Sequence, residues 1–134
     1  MSLYDWLLFL HVTAAFALVA GLVAFGVLVF GAGGTAVRRA LVPPAIALWN
    51  AGGIGVLVLG LALAIDVDAY QPWDGWILAA IVLWLVASGA GGPLSRGVRH
   101  PSARLPPERA RLLFAVMAGA TLLLLIDMVF KPGA

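Results

Sequence analysis

From Trp6 to Val37 no charged residue occurs, and the run is apolar apart from small residues and one histidine, His11, near its start. A spanning helix needs about 20 mostly apolar residues, so a stretch of this kind reads as a helix dissolved in lipid. Three further stretches have the same character, with polar and charged residues gathered between them. The pattern predicts helices over about 5–30, 44–65, 74–92 and 109–130. Short connections join them, and the expected fold is all-α: a polytopic membrane four-helix bundle.

Composition supports lipid as the solvent. The 134 residues are 63% hydrophobic and 10% charged, against about 25% charged in soluble domains. The absence of cysteine removes disulfides, thiolate metal sites and thiol nucleophiles from consideration. A nucleic-acid role would need a basic face on a soluble module, and none is present. A cleavable signal would begin with a basic flank and a shorter apolar core, whereas Asp5 precedes a much longer one.

The charges are segregated. Arg38 and Arg39 fall between the first two helices, and Arg96, Arg99, Arg104, Arg109 and Arg111 between the last two. Asp5, Asp66, Asp68, Asp74, Asp127 and Lys131 fall at the opposite end. Basic loops stay cytoplasmic, so both termini are expected to face outward, from a bacterial inner membrane. The arginines then set topology and meet anionic lipid headgroups at the membrane surface. Trp6, Trp73 and Trp76 mark the outer interface.

The two halves share landmarks. "GAGG" occurs at 31–34 and 89–92, Pro-Pro at 43–44 and 106–107, and the even helices close in "LALAID" (61–66) and "LLLLID" (122–127). The expectation is two parallel helical-hairpin repeats, 1–66 and 67–134, with glycine turning the chain and proline opening each even helix. Nothing in the second half corresponds to His11.

Several polar groups lie within the spans. Small residues at helical spacing (Thr13, Ala17, Gly21; Ala47, Ala51, Gly55; Gly52, Gly60, Ala64) mark close helix packing, and glycine on two faces of the second helix implies approach from both sides. His11 shares a stripe with Leu7, Ala14, Ala15, Leu18, Leu22 and Phe25, away from the Thr13 row, so it is expected to face another neighbour. Ala14 and Ala15 leave room beside the ring for a flat cofactor or a bulky side chain. Asp127 has Lys131 four residues on and could also hydrogen-bond His11; Asp66 is its counterpart in the first half. Asn50 reads as interhelical glue, and Trp84 as packing near mid-membrane. His100 belongs to the opposite end, so a haem ligated by His11 would take its second ligand from Met128, water or His11 of a second subunit.

"LH" near the outer end of the first helix, "AGL" at 20–22 and a last helix closing in "VFKPG" resemble a set of small four-helix bacterial membrane proteins. These are distantly similar to the HemJ-type protoporphyrinogen oxidases and the copper-resistance D family. The resemblance implies a b-type haem on His11 near the outer face. The HemJ type carries tryptophan and arginine where this chain has Leu18 and Val27, and a third-helix lysine with no counterpart here. Haem binding without oxidase activity is therefore what it implies. Three functions are consistent with the residues. One is a haem protein that transfers electrons or supports a redox enzyme. Another is an accessory or scaffold subunit, as a homodimer or in a larger membrane complex. The third is a minimal proton- or cation-coupled transporter using Asp66 and Asp127.

Overall fold

The computed structural model describes residues 2–31, 34–66, 75–99 and 105–130. Four helices, α1 (Leu3–Val29), α2 (Gly34–Asp66), α3 (Gly75–Arg99) and α4 (Pro107–Phe130), account for nearly all of them, with no strand among the described residues. Each is long and apolar enough to cross a bilayer. The protein is an all-α, multi-pass four-helix bundle.

Local chemistry sets the helix ends. At the start of α1 the Ser2 hydroxyl accepts from the Asp5 N–H at 3.2 Å, and the Asp5 carboxylate accepts from the Ser2 N–H at 3.1 Å. This capping box satisfies two N–H groups that no helical carbonyl can reach. After α1 the chain turns through Gly31 (φ 70°) and Gly34 (φ 75°), a left-handed conformation that costs an L side chain about 1–2 kcal/mol. A Cβ at Gly34 would touch nothing within 4 Å, so the cost there is conformational alone. Gly34→Ala is expected to lower the free energy of unfolding by about 1 kcal/mol, measured by reversible SDS unfolding in mixed micelles. Across the turn, Arg38 Nη1 donates to the Leu28 carbonyl at 3.4 Å, serving one of the last carbonyls of α1.

Two helix boundaries differ from the sequence expectation. α2 begins at Gly34 rather than Pro44 and carries Pro43 and Pro44 in its interior. Its 33 residues span about 50 Å against a hydrocarbon core of about 30 Å, so part of α2 stands outside the lipid. Arg38 and Arg39 place that part at its start. The prolines remove donors to the carbonyls of Arg39 and Ala40, both exposed, where water replaces the lost partners. α3, for its part, runs through the second GAGG and Pro93 to Arg99. Gly91 makes no turn; a Cβ there would stand 2.7 Å from Trp49 Nε1, so the missing side chain makes room for an indole. Pro-Pro at 106–107 does open α4, as expected. The shared landmarks thus hold unlike positions in the two hairpins.

α1 packs closely on α2, and α3 on α4; contact between the two hairpins is sparser. The starts of α1 and α3 and the ends of α2 and α4 share one end of the bundle, and the arginine-bearing termini share the other. The α1–α2 seam is backbone on backbone. A Cβ at Gly52 would lie 2.4 Å from the Leu18 nitrogen, and one at Gly21 2.6 Å from the Trp49 nitrogen. Farther along, a Cβ at Gly55 would lie 2.8 Å from the Ala14 methyl carbon. Between the hairpins two indoles are exchanged. Trp49 of α2 packs into Gly91 of α3, while Trp84 Nε1 of α3 donates to the Gly53 carbonyl of α2 at 2.8 Å. α2 is accordingly approached from both sides. Phe25 fills the centre, fully buried and edge-on to Trp49 with ring centroids 6.4 Å apart.

Candidate functional site

His11 enters the bundle about two turns from the start of α1. The seam brings it against α2: a Cβ at Gly60 would stand 3.2 Å from His11 Cε1, 3.6 Å from Nδ1 and 3.8 Å from Met128 Cε. His11 therefore lies on the close-packing seam, in line with Ala14, Leu18 and Gly21. Thr13, expected on that seam, is instead exposed and donates to the Phe9 carbonyl at 2.8 Å, a back-bond that lets a hydroxyl face lipid. The room beside Ala14 is likewise filled by α2. Cofactor space, if used, lies on the other side of the ring.

That side is a cavity of about 180 Å³, opening to about 870 Å³ when its open side is counted. All four helices contribute to it: Leu8 and His11 from α1, Val56 and Gly60 from α2, Ile81 and Trp84 from α3, Leu124 and Met128 from α4. The lining is apolar apart from the imidazole, the Tyr4 hydroxyl and the Trp84 N–H. Nδ1 of His11 is buried with no hydrogen-bond partner among the described residues, and Val56, one turn before Gly60, lines the same cavity. Because Gly60 has no side chain, the imidazole can approach that backbone.

The other candidate residues are distributed as follows. Met128 joins His11 at Gly60. Asp127 is 7% exposed and its Oδ2 is buried without a partner among the described residues; the Asp127 carboxylate does not engage His11 Nδ1. Asp66 ends α2, with its side chain outside the described residues, as Lys131 is entirely. Arg39, Arg96, Arg109 and Arg111 are exposed and Arg38 is half-buried on its α1 carbonyl. The Arg99 side chain and Arg104 lie outside the described residues. Gly60, Val56 and Trp84 are site residues that sequence reasoning missed. The signal available for Gly60 was a glycine in a spanning helix, but its pairing with His11 depends on interhelical register.

The donor set can be tested against the haem that the resemblance implies. His and Met form a known axial pair for haem iron, and here both converge on one glycine. A cavity near 150 Å³ holds a benzene, so the 180 Å³ of this half-open cleft is room for at most one edge of a four-pyrrole ring. The residues present fit such a group as donors and as a cleft wall. Among the described residues no group of three His, Cys, Asp or Glu could hold a bare metal ion.

No family model, curated protein or solved structure matches the chain. The likeness to the HemJ-type oxidases and the copper-resistance D family thus rests on His11, Ala20-Gly21-Leu22 and Lys131-Pro132.

Proposed function

We propose that this chain is a small multi-pass protein of a bacterial inner membrane that binds b-type haem in the His11 cleft and serves electron transfer or a partner redox enzyme. The convergence of His11 and Met128 on Gly60, beside an apolar cleft, carries the reading. His11 and Met128 are the residues that would hold the group. When bound, such a group supplies one-electron transfer. The chain's own work is to seat the imidazole against Gly60 with Met128 beside the same glycine, and to exclude water with Leu8, Ile81 and Leu124. The positive-inside bias supports cytoplasmic arginine turns, with the cleft toward the outer face. Any redox partner would then meet the protein at that outer end.

The test is a visible spectrum of protein purified after expression with ample haem, oxidised and then reduced with dithionite. A Soret band that shifts on reduction is expected. It should vanish in His11→Ala, and in Met128→Leu it should persist with altered position and a lower midpoint potential, since methionine ligation raises the potential. A colourless parent protein would overturn the reading.

A further inference from the structure

A second cavity, of about 460 Å³, lies between α2 and α3 on the arginine-bearing side of the first. Its mostly apolar wall carries five polar residues, Asn50, Ser88, Ser95, Arg96 and Thr121. Asn50 stands about two turns inside Pro44 on α2, and Ser88 at the middle of Ile77–Val98; both line the cavity, with Thr121 beyond them. Ser95 and Arg96 line it toward the end of α3. Thr121 is 1% exposed and donates to the Met117 carbonyl at 2.7 Å. An amide exposed to hydrocarbon is costly, and Asn50 is exposed. Water in the cavity would remove that cost, and the space is ample for several molecules.

We infer that this cavity is an aqueous vestibule, open at the arginine-bearing end and reaching the bilayer midplane, that admits a small anion. Arg96 supplies the charge, and the Ser95, Ser88 and Asn50 groups supply neutral donors along roughly 12 Å of α3 and the facing wall of α2. Among the described residues no carboxylate lines it, so the wall favours anions over cations. At its inner limit stand Trp84 and Leu124, which also line the His11 cleft. They form a partition one side chain thick, and the Trp84 N–H on the Gly53 carbonyl holds the indole in place. The inference is independent of what the His11 cleft holds.

The chain contains no cysteine, so single cysteines can report water directly, because a thiol reacts as thiolate and ionises only where hydrated. The experiment compares Ser88→Cys with Val86→Cys, an exposed residue at the same depth outside the cavity. Each variant is placed in sealed membrane vesicles of either orientation and treated with charged, impermeant methanethiosulfonates. Ser88→Cys is expected to react about tenfold or more faster than Val86→Cys, and only from the arginine-bearing side. The anionic reagent should outpace the cationic one, a preference that Arg96→Gln reduces about threefold or more. Leu57→Cys, in the His11 cleft, should be silent from that side and become reactive when Trp84→Ala is added. Equal rates for Ser88→Cys and Val86→Cys would overturn the vestibule. A reagent preference unchanged by Arg96→Gln would overturn the anion selectivity. Reaction of Leu57→Cys with Trp84 intact would overturn the partition.

Discussion

Gly52→Ala is expected to lower the free energy of unfolding by about 3 kcal/mol, at the upper end of the usual cost of overpacking. The new methyl would sit 2.4 Å from the Leu18 nitrogen, 2.7 Å from its Cα and 3.0 Å from the Ala14 carbonyl oxygen. All three are backbone atoms of α1, so no side chain can turn aside. Relief requires α1 and α2 to separate, with loss of contact along the seam. The neighbouring Gly53→Ala is expected to behave oppositely. Its methyl would meet the Trp84 Nε1 at 3.6 Å and the Leu18 Cδ1 at 3.8 Å, ordinary contacts, and alanine is the better helix former. Neutrality or a gain of about 0.5 kcal/mol should result. SDS unfolding of the two variants side by side measures the difference, and equal stabilities would refute the seam register.

The second large effect concerns Phe25, fully buried against Trp49. In a water-soluble protein Phe→Ala costs about 3–5 kcal/mol, combining transfer and cavity terms. In a bilayer the unfolded reference still keeps the ring in hydrocarbon, so most of the transfer part is absent. What is left is the cavity and the lost edge-to-face contact, about 2 kcal/mol. Phe16, 72% exposed on the outside of α1, has lipid for a neighbour in either state. Phe16→Ala should change stability by less than about 0.5 kcal/mol. The same unfolding assay separates the two, and a comparable loss at Phe16 would show that this face of α1 packs against protein.

The number and apolar character of the helices were readable from the chain, because hydropathy over about 20 residues depends on no partner. Their ends were less so. Pro43-Pro44 and the second GAGG look like punctuation when read locally, yet the first lies in a stretch of α2 extending beyond the lipid and the second receives an indole. Both outcomes depend on surroundings that local pattern does not contain. His11 is a similar case. Helical spacing puts it on a stripe with Ala14 and Leu18, while the small residues of the Thr13 row suggest that the close approach lies there. The close approach comes mainly from α2's glycines, so α1 can meet them with His11, Ala14 and Leu18. Met128 was legible as a candidate ligand only by elimination; its meeting with His11 at Gly60 needed three helices in register.

The unequal packing of the bundle bears on how the protein is made. α1 and α2 pack over most of their length through contacts close in sequence, and their seam needs nothing from the second half. That pair can assemble in the membrane while the ribosome is still translating α4. The second hairpin then joins a finished surface through sparser contacts, including the Trp49 and Trp84 placements. Chains ending at residue 66 and released into the membrane should therefore already hold His11 against Gly60, with Met128 arriving last in the full chain to complete the cleft.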